Sequence, residues 1–193
     1  MDGRGRTVTL RKKFKYHSAF DKTMPAGLKA TSSPIAVSFR LAETAPNTFT
    51  QSEVDLALNP LDNEVFVVLA VDLNVSPPDA IAATDTDVQG SISTTSQTAT
   101  LTLDNTNAIA IAERTIRAGG FVDGGVGFSH MSGETPTATL DYIQIIATSN
   151  FFVQVQGNGN TGAKAMSGRL WGYRATASAS TYAALVQSEV LSS

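Results

Sequence analysis

The chain contains no cysteine, which removes disulfides, thiolate nucleophiles and the thiolate ligands of structural zinc. It has two histidines, His17 and His130, too few for a metal centre that needs three or four such ligands. Charge is scarce as well: Asp, Glu, Lys and Arg make up 16% of the residues, against about a quarter in soluble proteins. A free enzyme normally carries more charge for solubility, so this scarcity points to a surface covered by neighbours. The longest strongly apolar run, residues 65–71, falls far short of the roughly 20 residues of a membrane-spanning helix. The opening Met1-Asp2-Gly3-Arg4-Gly5-Arg6 lacks the apolar core of a secretory leader, and the expectation is a chain that stays in the cell that makes it.

What charge there is lies unevenly. Residues 1–30 hold eight Lys and Arg against two Asp, a net +6, so a total of -3 leaves -9 for the rest. Arg4, Arg6, Arg11, Lys12, Lys13 and Lys15 form the densest part of this basic arm. Clustered cations bind phosphate by releasing counterions whatever the base sequence, and they also bind anionic head groups. Within the arm, residues 7–16 put Val8, Leu10, Phe14 and Tyr16 on one side of an extended chain and Lys13 and Lys15 on the other. That segment reads either as a strand laid against a sheet with its cations free, or as an edge strand whose lysines deter aggregation.

Alternation dominates the remainder. Ile35, Val37, Phe39 and Leu41 mark a half-buried strand. Val54, Leu56 and Leu58 alternate again in residues 52–58, with a short helix as the other reading. Residues 64–75 form the most apolar strand, closed by Pro77-Pro78. Residues 88–95 and 99–103 read as two short strands rich in Thr and Ser. Residues 107–118 fit a strand or an Ala-rich helix stopped by Gly119-Gly120. Strands are expected at 121–129, 137–148 and 151–156, where Gln154 and Gln156 point outward. A Gly/Asn hairpin loop at 157–162 follows, and a strand over 163–176 closes the series. About eight short strands in a chain of this length predict an all-β sandwich, and an eight-stranded jelly roll fits the length. The expected organisation is a basic arm at 1–30, a sandwich at 31–177 and a tail at 178–193, partly helical through residues 182–190.

Chemistry is thinly represented. No Gly-x-Ser-x-Gly elbow accompanies either histidine, and His130 is expected in a loop. Asp79, Asp85 and Asp87 offer the oxygens of a calcium site, though their spacing departs from an EF-hand and also suits a solvated acidic loop. The glycine loop at 157–162 lacks the Lys-Ser/Thr of a phosphate cradle. Trp171, Tyr173 and Arg174 have the interleaving of a base-stacking platform, but their strand is apolar enough to be core. The sequence therefore reads as non-enzymatic and without a cofactor.

A basic N-terminal arm, a Thr/Ala/Ser/Asn-rich body, the strand and loop of 151–162, and the closing Arg169-Leu170-Trp171-Gly172-Tyr173-Arg174 together resemble the single jelly-roll capsid proteins of tailless icosahedral viruses. The resemblance covers the whole chain as a pattern. It implies a virion coat subunit that is assembled in the host cytoplasm, partners itself and other capsid proteins, and turns its arm toward genome, internal membrane or neighbouring subunits. The contrasting expectation is a carbohydrate- or surface-binding β-sandwich module of a fibre or adhesin.

Overall fold

A computed structural model of the chain describes residues 24–120, 128–133 and 140–191. The described strands are β1 (Leu28–Ala30), β2 (Ile35–Ala42), β3 (Thr50–Asp55), β4 (Glu64–Val75), β5 (Thr86–Ser93), β6 (Ala108–Arg117), β7 (Phe128–Gly133), β8 (Gln144–Ile146), β9 (Asn150–Asn158) and β10 (Ala165–Ala177). A 3₁₀ turn at Pro60–Asp62 precedes β4, and helix α1 (Ala179–Leu191) ends the described chain. All pairings are antiparallel. The first sheet runs β1-β10-β4-β8 with β2 also on β10, and the second runs β3-β9-β5-β6-β7. Strands β1 and β2 lie end to end along one edge of β10, opposite residues 175–177 and 165–172. Strand pairing thus begins at Leu28, inside the segment expected as an arm.

The two sheets face each other across one filled core. In β2 the period of two turns Val37, Phe39 and Leu41 inward and leaves Ala36, Ser38 and Arg40 exposed. From the first sheet come Phe66, Val68, Val75, Met166 and Leu170, and from the second Val88, Ile92, Phe151, Val153 and Val155, each with 2% exposure or less. Each such side chain contributes about 1.5–3 kcal/mol by leaving water. Phe39 and Phe151 meet edge to face across the sheets, centroids 5.8 Å apart at 75°. Room for the rings comes from missing side chains on β10. A Cβ on Gly168 would sit 2.5 Å from the Phe39 ring, and one on Gly172 would sit 2.3 Å from both the Phe66 ring and the Val67 carbonyl.

Strand β4 is apolar on both sides in its first half because both sides are covered. Phe66 and Val68 enter the core, while Val65 and Val67 lie under Tyr182, Leu185 and Val186 of α1. A register irregularity opposite Trp171/Gly172 then shifts the alternation, so Val71, Leu73 and Val75 face inward and Asp72 and Asn74 face out.

Several expectations need correction. Residues 99–103 alternate but form no ladder; they belong to a long connection between β5 and β6. For residues 107–118, where the sequence leaves strand and helix both open, the outcome is a strand over 108–117, since Ile109 and Ala112 are drawn into the core and β6 pairs on both sides. The strand expected at 137–148 contracts to Gln144–Ile146, with 137–139 outside the described residues. Of the strand expected at 121–129, residues 121–127 also lie outside the described residues, and β7 starts at Phe128. His130 pairs with Thr115 within β7 and so lies on a strand, not in a loop. The loop at 157–162 is no hairpin either, because β9 and β10 belong to different sheets.

Candidate functional site

The connections at one end of the sandwich converge on a polar hub. Glu43, only 6% exposed, follows β2 and takes three backbone donors: Oε1 accepts from Thr48 N at 3.1 Å and Gly157 N at 2.7 Å, and Oε2 accepts from Lys164 N at 2.7 Å. One carboxylate thereby ties β2 to the end of β9 and the entry to β10. Asn160, 5% exposed, donates through its side chain to the carbonyls of Asp87 and Asn158 and accepts from Asp79 N at 2.8 Å. It also exchanges two 2.8 Å bonds with Asn47 through its own backbone. Gly159 adopts φ +68°, and a Cβ there would lie 2.6 Å from the Asp85 carbonyl, so glycine is required by both conformation and space.

The three aspartates that suited either a solvated acidic loop or a calcium site are used separately. Asp79 accepts from Lys164 Nζ at 2.5 Å and, through its other oxygen, from the amide and hydroxyl of Thr161. The lysine first, then Thr161, holds its carboxyl far below the usual range. Asp85 accepts from the Gly119 and Ala118 amides and from Arg117, and these donors lower its pKa, Gly119 foremost. Asp87 accepts from Asn158 Nδ2 at 2.7 Å, and partial burial pushes its carboxyl up. Among the described residues no three His, Cys, Asp or Glu side chains gather in a metal-holding group. Asp79 and Asp85 clamp loops, and Asp87 bonds its cross-strand neighbour.

The two outer faces of the sandwich differ. Over the second sheet, the connection 94–107 folds back and saturates the polar side chains beneath it. Gln154, fully buried, accepts from Ser91 and donates to Ser93 and Gln51. Leu101 N then donates to Ser91 Oγ, Thr100 to Gln89, and Gln97 N to Gln51. The outward amide expected at Gln154 is therefore outward but covered. Over the first sheet, α1 covers only one end. Its Glu189, 6% exposed, accepts from the amides of Ala147 at 2.8 Å and Thr148 at 3.1 Å, and burial raises its pKa. A cleft of about 290 Å³ opens beside it, lined by Leu58, Pro60, Tyr182 and Val186.

No described residue covers the other end of that face. Side by side across β2, β10 and β4 stand Arg40, Ser167 and Asn74, then Ser38, Arg169 and Asp72, then Ala36, Trp171 and Ala70. Trp171 is half-buried with the Arg169 guanidinium 5.6 Å from its ring centroid. Tyr173 belongs to the cluster under α1, and Arg174 turns to the carbonyls of Leu56 and Ala57 and to Glu64. The three residues considered as a stacking platform are thus divided among three surroundings. Arg4, Arg6, Arg11, Lys12, Lys13, Lys15 and His17 lie outside the described residues. Glu43, Asn160, Lys164, Glu189 and Asp72 carried no sequence signal, because a lone polar residue in a loop or strand looks the same whether it clamps or floats.

Comparison of the chain with protein-family models, with curated proteins and with solved structures finds no match.

Proposed function

We propose that the chain is a jelly-roll capsid subunit of a tailless icosahedral virus, a structural rather than catalytic virion protein that assembles with itself and with other capsid proteins. The observation that carries this reading is the nesting of strand pairs. Strand β2 pairs with β10, β3 with β9, β4 with β8, and β5 with β6, the order of one long antiparallel hairpin. Rolling that hairpin sets β10 beside β4 and β9 beside β5. A rolled, two-sheet sandwich of eight strands is the architecture of shell-forming and lectin domains.

Three further facts support the shell. The space between the sheets is filled by side chains, which leaves function to the exterior. Charge is sparse at 16%, as suits a surface shared with neighbours. The arm at 1–30, with Arg4, Arg6, Arg11, Lys12, Lys13 and Lys15, has the sign to face nucleic acid, an internal membrane or an adjoining subunit. A glycan-binding sandwich module is the second reading, favoured by the half-exposed Trp171 on the part of the first sheet that no described residue covers.

Analytical ultracentrifugation and electron microscopy across salt and pH test the proposal. Species far larger than the 20.3 kDa monomer are expected, and a persistent monomer refutes it. Removing residues 1–15 is expected to leave the circular-dichroism spectrum intact while lowering particle yield or contents; unchanged particles would deny the arm its role.

A further inference from the structure

The end of the first sheet that no described residue covers carries a pattern of charge found nowhere else among the described residues. Nearly every described acidic side chain is engaged: Glu43 and Glu189 with backbone amides, Asp79 with Lys164, Asp85 with Arg117, Glu64 with Arg174. Glu53, Asp55, Asp62, Asp87, Asp104 and Glu113 each accept from a neighbouring side chain or amide, and Asp141 is also partnered. Asp72 alone among them has no partner. It is exposed on β4, directly across from Arg169 on β10, yet the guanidinium donates through Nε to Ser38 at 3.2 Å and leans over Trp171 instead. Arg40, on the same face of β2, also has no partner.

Asp72 and Arg169 border a shallow groove of about 380 Å³ lined also by Ser38, Asn74 and Ser167, with Arg40 and Trp171 at neighbouring positions on the same face. Among the described residues, the connection 94–107 bonds the polar side chains on the outer side of β3, β5 and β9, and α1 packs on the far end of the first sheet. A chain this poor in charge gains nothing for its own stability from leaving Asp72 and Arg40 without partners beside an Arg169 that bonds only Ser38 and the Trp171 ring. Exposed pairs contribute little within a monomer, but charges gain specificity and register when two surfaces meet.

We infer that this face, centred on Arg40, Arg169, Asp72 and Trp171, is an isologous contact that docks on the same face of a second copy of this chain. A self-complementary patch must carry both members of each pairing, because residue i of one copy meets residue j of the other and the reverse holds too. Asp72 and the two arginines satisfy this for charge. Asn74 with Ser167 satisfies it for hydrogen bonding. The half-buried indole of Trp171, between the small side chains of Ala36 and Ala70 on its neighbouring strands, supplies an apolar centre that can pack on its own copy. An aromatic and an arginine at the centre of a patch are the residue types that anchor interfaces.

The inference rests on the reading of the chain as an assembling subunit. Its test is a charge swap in the full chain, followed by sedimentation and electron microscopy. Asp72→Arg and Arg169→Asp are each expected to weaken the self-association constant at least about tenfold. The double variant Asp72→Arg/Arg169→Asp is expected to restore most of it, because the reversed charges again meet across the contact. Both sites are exposed on strands, and an unchanged circular-dichroism spectrum and melting temperature separate lost association from lost folding. Single variants that associate like the parent, or a double variant no better than the singles, overturn the inference while leaving the shell intact. Saccharide binding at Trp171 by a monomer overturns it as well. A parent chain that never associates defeats the underlying reading instead.

Discussion

At the scale of single residues, polar atoms and glycines do different jobs in this fold. The described residues hold no buried side-chain nitrogen or oxygen without a hydrogen-bond partner, so the polar groups inside are restraints that fix loops. Glycine on β10 instead makes space. Gly172→Ala would place a methyl 2.3 Å from the Phe66 ring and the Val67 carbonyl, whereas Gly162→Ala would meet nothing within 4 Å. The first is expected to destabilise by about 1–3 kcal/mol, as overpacked cores do, and the second by less than about 0.5 kcal/mol. Urea titrations monitoring Trp171 fluorescence compare the two; equal midpoints would discredit the packing account. Sequence showed that glycines were present but not what they were for. Gly159 looked like half of a hairpin and is instead a crossing point where backbone passes 2.6 Å from where its Cβ would be. Likewise, Asp79, Asp85 and Asp87 looked like one cluster because spacing alone hides which donors each will meet.

At the scale of elements, acid acts in opposite directions on the two ends of the sandwich. Lys164 and Thr161 depress the pKa of Asp79, so its contribution is complete above the ordinary value of 3.8 and disappears as pH falls below it. Burial raises the pKa of Glu189. Docking of α1 is therefore strongest below the ordinary glutamate value of 4.5 and weakens as pH climbs from there through the raised value. Hydrogen exchange corrected for intrinsic rates is expected to show α1 amides better protected at about pH 4 than at about pH 7. The Thr161 and Gly162 amides, which donate to Asp79, should lose protection on going below about pH 3.8. A common response at both ends would contradict these assignments. Element by element, period-two alternation made β2, β4, β9 and β10 legible. It misled at residues 99–103, where Thr100 and Leu101 bond to side chains of the sheet beneath them rather than to a ladder. It did not decide residues 108–117, where Ile109 and Ile111 alternate but Ala-rich sequence also permits a helix, and pairing with β5 and β7 selects the strand.

For the whole molecule, the number and spacing of alternating segments foretold a β-sandwich about one core. They held no information on which outer face would be covered, because that depends on a connection and a C-terminal helix folding back from distant positions. The strand order has a further consequence for the sequence of events as the chain is made. Strand β10 lies between β2 and β4 and is paired on both flanks, yet it is the last strand of the described chain to be synthesised. Until it arrives, the first sheet is missing its middle, and β2 and β4 are two open edges of the kind that recruit other chains. Closure is then a single late insertion rather than a stepwise accretion. A chain ending at residue 164 is expected to aggregate and to show no cooperative unfolding transition. A soluble fragment that melts sharply in calorimetry would show that the keystone is not needed.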